Sequence, residues 1–203
     1  MRHALWLTLA WALLHLAHAD RLIEIPTGRL IYPERLTLEA GFWAGVPARE
    51  RAFVNLRASG LLELQGARTG FEGRLELYGI QYSLYPEIPG YAPGISVGVA
   101  DVFNRSPQGR GYYVAISYGI AALGATPLDH DLRIHLGFGW EGMPSLFIGF
   151  DIPLTNQLFL RAEHTGERIN AALAWRLSNQ IELRGAVIRD RTSWSIMIRL
   201  WEE

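Results

Sequence analysis

The chain has 203 residues, 49% of them hydrophobic and 19% charged, with a formal net charge of -1. That is enough for one domain with a full core, and the near-neutral balance lacks the basic footprint of a nucleic-acid binder. Cysteine is absent, which removes disulfides, thiol catalysis, iron–sulfur sites and a lipoprotein anchor together. All 19 basic residues are arginine, a compositional or thermal-adaptation bias consistent with ion-pair networks rather than a binding signature.

Residues 1–19 have a basic start at Arg2, an apolar run from Ala4 to Leu14 and a small-x-small end at Ala17-His18-Ala19. This is the anatomy of a secretion signal cleaved after Ala19, and the run is too short to span a bilayer. No later segment approaches the roughly 20 continuous apolar residues of a membrane helix, so any membrane insertion must use strands. Residues 20–34 form a polar-apolar extended segment that could fold into a lumen as a plug or lie across a mouth.

From residue 35 onward the apolar residues recur with period two, the signature of strands with one apolar face. Strands are predicted at 35–43, 51–59, 74–84, 94–103 and 111–120, and residues 61–67 read as either a further strand or a continuation of the one before. The later pattern is cleaner. In 132–140, Leu132, Ile134, Leu136, Phe138 and Trp140 alternate with Arg133, His135, Gly137 and Gly139. Strands follow at 146–152, 158–163, 169–177 and 181–187, and the last has Trp194, Ile196, Ile198 and Leu200 on its apolar face. Trp201 partly fits the aromatic end of a barrel-insertion signal, with Glu202 and Glu203 after it. Short connections rich in turn formers, such as NRSPQG, EGMP, TNQ and SNQ, join the strands. A meander this long avoids open edges by closing. The expected fold is all-β, a closed antiparallel meander barrel of about 12 strands (10 to 12) over residues 35–203.

The apolar faces point either inward, as in a soluble exported barrel with an apolar ligand cavity, or outward into lipid. The opposite faces alternate small residues (Ala115, Ser117, Gly119, Gly137, Gly139, Ala172, Ala174) with single charges, which suits a narrow lumen better than a solvent face. Aromatic residues near strand ends, Trp43, Phe103, Tyr112, Trp140, Phe150, Trp175, Trp194 and Trp201, match an interfacial girdle. The expectation is a transmembrane barrel of the outer membrane whose partner is lipid, with Leu132, Ile134, Leu136, Phe138, Trp140, Trp194, Ile196, Ile198 and Leu200 facing it.

The segment IEIPTGRLIYPERLTLEAGFW, residues 23–43, opens with Ile25, Pro26, Thr27, Gly28 and Arg29 and leads through a short turn into RLTLEAGF. With the later strands RLELYGI and GYYVAISYGI, it resembles the YjbH-like outer-membrane barrel proteins. The resemblance implies an envelope role linked to exopolysaccharide production, with polysaccharide or other envelope proteins as partners.

On the lumen face, Arg133, His135, Arg161, Glu163, Arg176, Glu182, Arg184 and Arg199 fall on successive strands, where cross-strand partners lie about 5 Å apart. Buried charges need pairing, so a structural ladder is the plain expectation. A charged, ion-selective narrow channel is its functional counterpart. A lipid or peptide hydrolase would draw on His130, Asp131, His135 or His164 with Ser117 or Ser145. No GxSxG, HExxH or histidine pair at ligand spacing supports it. The sequence thus reads as a non-enzymatic barrel with no catalytic residue, metal or cofactor.

Overall fold

The computed structural model describes residues 22–29, 34–44, 50–69, 75–120 and 131–201. Twelve strands follow one another in chain order: β1 (Glu34–Trp43), β2 (Glu50–Arg57), β3 (Leu62–Thr69), β4 (Leu75–Tyr85), β5 (Gly94–Ala100), β6 (Gly111–Ile120), β7 (Leu132–Glu141), β8 (Phe147–Pro153), β9 (Leu158–His164), β10 (Ile169–Arg176), β11 (Ile181–Ile188) and β12 (Arg191–Trp201). Each pairs antiparallel with its neighbours in sequence, and β1 pairs with β12 from Glu34↔Trp201 to Trp43↔Ser193, so the sheet closes on itself. The predicted closed meander is the observed fold. Closure satisfies the backbone groups that two edge strands would leave open.

Residues 61–67, ambiguous in the sequence, belong to a separate strand. The Ala58 and Ser59 N–H groups both donate to the Leu62 carbonyl at 2.8 and 3.3 Å, making the tight turn that separates β3 from β2. The strand predicted at 94–103 stops earlier, at Ala100. Asp101 and Asn104 have φ of 49° and 56°, outside the strand region, and the Asp101 carboxylate accepts the Arg105 and Ser106 N–H groups, which winds the chain into a turn. Burial would raise the Asp101 carboxyl, but these amide hydrogen bonds outweigh it and hold the group below its ordinary range.

The two faces of the wall differ in kind. Most side chains pointing into the barrel are small, polar or charged, Glu39, Glu63, Gln65, Gln81, Ser83, Ser96, Ser117, His135, Glu163, Asn170, Glu182 and Arg184 being buried, while Trp43, Tyr113, Phe147, Phe159 and Ile188 are large inner-facing exceptions. Those pointing outward are large and apolar yet exposed, among them Phe138 at 49%, Trp140 at 50% and Trp194 at 52%.

Trp43 departs from the expected girdle. It shares strand parity with Thr37 and Glu39 and is buried inside the barrel, with the Arg51 guanidinium 5.5 Å from its ring centroid. Phe103 lies in the turn after β5, edge-on to Tyr78 and under Arg105. Tyr112 and Trp140 stack on the outer face across the β6–β7 pair. The predicted signal, residues 1–19, and His130 lie outside the described residues.

Candidate functional site

The lumen is occupied by the chain's own residues 22–29, referred to below as the strap. Leu22, Ile23, Ile25 and Thr27 are buried, and Leu22, Ile23 and Ile25 join the inner cluster with Trp43, Tyr113, Phe147 and Ile188. Of the segment predicted at 20–34, residues 22–29 lie inside the barrel, and residues 20, 21 and 30–33 lie outside the described residues.

The wall holds the strap mainly by its main chain. One carboxylate, Glu163 on β9, accepts the N–H groups of Ile23 (3.0 Å), Glu24 (2.9 Å) and Ile25 (3.2 Å). Asn170, opposite Glu163 on β10, donates to the same carboxylate at 2.8 Å. Gln81 on β4 donates to the carbonyls of Thr27 and Arg29, Ser96 on β5 donates to the Thr27 carbonyl, and Gly28 N–H donates to Ser117 Oγ on β6 at 2.8 Å. Close approach requires missing side chains on both partners. A Cβ on Gly28 would strike the Gly94 carbonyl and the Ser117 nitrogen, and one on Gly149 would strike Leu22 and Ile25.

The strap runs nearly the length of the lumen. At one end Glu24 meets Arg189 (3.6 Å), in the β11–β12 turn. At the other Arg29 meets Glu87 (3.2 Å), in the β4–β5 connection, and Arg133 reaches the same carboxylate at 3.4 Å. In an up-and-down meander those two connections lie at opposite mouths.

Beside the strap runs a buried ion network. Glu182 accepts from Arg161 (2.7 Å), Arg184 (3.1 Å) and Arg199. Arg161 also meets Asp151, and Arg184 also meets Glu39, which in turn faces Arg51. Two of these pairs skip a strand. Arg161 on β9 reaches Glu182 on β11 past the inward Ala172 and Ala174 of β10, and Arg184 on β11 reaches Glu39 on β1 past Ser195 of β12. Short side chains between them give the guanidinium groups room to cross. The network also spans the β1–β12 seam, where Arg51 of β2 donates to Ser193 of β12. Arg176 lies with its guanidinium 4.5 Å from the Phe159 ring centroid.

The structure brings Arg161, Glu182, Arg184 and Arg199 into one cluster, while Glu163 serves the strap and Arg133 serves Glu87 at a mouth. His135 is buried, and its Nδ1 shares a 2.7 Å hydrogen bond with Ser117 Oγ. This serine–histidine pair lies beneath the strap, because the same Oγ receives Gly28 N–H. His164 is exposed on the outer parity of β9, and Ser145 is exposed in the β7–β8 turn. Among the described residues no three His, Asp or Glu side chains are grouped to hold a metal. Leu132, Ile134, Leu136, Phe138 and Trp140, with Trp194, Ile196, Ile198 and Leu200, all take the outer parity of β7 and β12.

Sequence reasoning missed Glu39, Arg51, Gln81, Ser96 and Asn170. Parity could have found Glu39, two positions from Thr37 on the non-apolar phase of RLTLEAGF. Nothing local marks Gln81 or Ser96 as partners of a segment more than fifty residues away.

Fold and lumen together define a class: a closed twelve-stranded antiparallel barrel filled by its own N-terminal segment and by paired charges. No protein-family model matches the chain, and no curated protein matches its sequence.

Proposed function

We propose that the protein is a non-enzymatic outer-membrane β-barrel, exported by the signal at residues 1–19 and serving an envelope structural role with its lumen closed. The observation that carries this reading is the inversion of polarity across the wall. Glu63, Gln81 and Glu182 are fully buried inside, while Phe42, Ile169 and Trp175 stand half-exposed or more outside. In water those half-exposed outer side chains would each forfeit about 1–2 kcal/mol of burial, a penalty that hydrocarbon removes. On β6 the outer apolar residues run from Tyr112 to Ile120. Eight steps at about 3.3 Å, tilted by about 40°, give a band about 20 Å tall, near the height of an outer-membrane barrel's apolar belt.

The filled lumen favours a closed barrel over an open pore, and burial of Ser117 and His135 under the strap favours a structural role for that pair over hydrolysis. The resemblance of residues 23–43, with the later strands RLELYGI and GYYVAISYGI, to YjbH-like proteins supports placing the barrel's work at the envelope, with a role accessory to exopolysaccharide export as its finer form. The test is fractionation with a heat-modifiability gel. The protein should stay with membranes in high salt and alkali, need detergent for extraction, and migrate differently before and after boiling. Release by salt alone would sink the membrane reading.

A further inference from the structure

We propose that the lumen wall formed by Gln81, Ser96, Ser117, Gly149, Glu163 and Asn170 is a binding groove for a peptide, and that residues 22–29, bent at 22–25 where Leu22 N–H donates to the Ile25 carbonyl at 3.0 Å, are its ligand in cis. The contacts have the character of ligand recognition rather than of a thirteenth strand. Six strap main-chain groups, the N–H of Ile23, Glu24, Ile25 and Gly28 and the carbonyls of Thr27 and Arg29, are each met by a side chain of the wall. Hydrogen bonds to a ligand's main chain give affinity, and pockets for its side chains give selectivity.

The groove specifies its ligand. It wants apolar side chains at the positions of Ile23 and Ile25, which are buried, and glycine at the position of Gly28, where a Cβ meets backbone. The Glu24 end is the more releasable: the Glu24–Arg189 pair is partly exposed on both sides and screened by solvent, whereas Arg29 is partly exposed and its partner Glu87 is buried. A peptide of the pattern apolar-acidic-apolar-Pro-Thr-Gly-Arg, from another exported polypeptide, would therefore compete with the strap for one site. The inference holds whether or not the barrel sits in a membrane.

The chain has no cysteine, so Ile25→Cys gives a single thiol, shielded while the strap is docked. The probe is a synthetic peptide of residues 20–30, DRLIEIPTGRL, added to the detergent-purified full chain. A tethered segment has an effective concentration of about millimolar, so about 1 mM peptide should bring thiol labelling to about half the rate seen in Ile25→Cys/Gly28→Leu, whose strap is expelled. The Gly28→Leu barrel, freed of competition, should bind fluorescent peptide at least about 100-fold below that concentration. A scrambled peptide should do neither. No acceleration of labelling by the native peptide, or equal acceleration by the scrambled one, would overturn the proposal, as would an open Gly28→Leu barrel that binds no peptide. If Gly28→Leu does not fold, the competition in the Ile25→Cys chain decides alone. Failure of the membrane reading would show in extraction and leave these results unchanged.

Discussion

Glu182 is the residue whose loss should be felt most. It is fully buried and accepts from three arginines, Arg161, Arg184 and Arg199. Glu182→Gln keeps the size and leaves an oxygen to accept, so packing changes little, but it removes the charge all three guanidinium groups face. Of the three acids in the network, Asp151, Glu182 and Glu39, two would remain against Arg51, Arg161, Arg184 and Arg199. A charge pair at about 4 Å is worth about 4 kcal/mol at an effective dielectric of about 20, and breaking a buried pair from one side costs about 3–5 kcal/mol net. For a chain of this length each kcal/mol moves the midpoint by about 2–4 °C, so the folded band on a heat-modifiability gel should be lost about 6–20 °C earlier. Arg199→Gln in the same chain should recover part of the loss, with a coupling of about 0.5–3 kcal/mol in a double-mutant cycle. A shift below about 2 °C, or strictly additive single and double substitutions, would refute the view that this network holds the seam.

Ile196, mid-strand on the outer face of β12 and 40% exposed, reports on the solvent outside. Ile196→Arg should cost about 2–4 kcal/mol in lipid and within about 0.5 kcal/mol if that face meets water, measured by urea unfolding in bilayers and in detergent. A Cβ at Gly137 would fall on the Phe147 ring, which is fully buried, so Gly137→Val should destabilise by about 1–3 kcal/mol, and Phe147→Ala in the same chain should recover part of it. Asp101 ionises below its ordinary range because the Arg105 and Ser106 amides outweigh its burial. Its contribution to the turn at 101–110 is therefore full above the unfolded value of about 3.9 and lost as pH falls through the lowered folded value. Proteolysis within that turn should rise in the acid range, and Asp101→Asn should cleave at the acid rate already at neutral pH.

The meander was legible because each strand carries its own evidence. LRIHLGFGW alternates without interruption, and the glycines opposite Leu136 and Phe138 already suggest an inner face with little room. Where the signal is local it succeeds, and where it depends on what lies across the lumen it fails. Trp43 stands at a strand end, where an aromatic reads as part of a girdle, yet its parity with Thr37 and Glu39, already present in RLTLEAGFW, sends it inward beside Arg51. The lumen charges were legible as a set, since burial demands pairing. Their pairing was not, because Arg161 passes over β10 to reach Glu182, a jump that adjacent-strand reasoning does not consider. The N-terminal segment reads in sequence as an extended piece ahead of the first strand, but residues 22–25 are bent, with Leu22 N–H donating to the Ile25 carbonyl. Its seat depends on Gln81, Ser96 and Glu163, which in sequence are ordinary inner-face residues.

The strap's two ends, Glu24 at the β11–β12 turn and Arg29 at the β4–β5 connection, also bear on how the molecule is assembled. A segment joined to β1 and lying along the axis is most simply seated while β1 is still unpaired, whereas in the finished cylinder exchange with a free peptide runs end-on through the mouths. The economical order is that β2 to β11 curl first, the strap lies down on Gln81, Ser96, Ser117 and Glu163, and β1 then zips to β12 around it. On this account the strap acts as a former on which the wall is rolled. In that order the Glu39–Arg184 contact over the seam forms late, because it needs both sides of the roll in place.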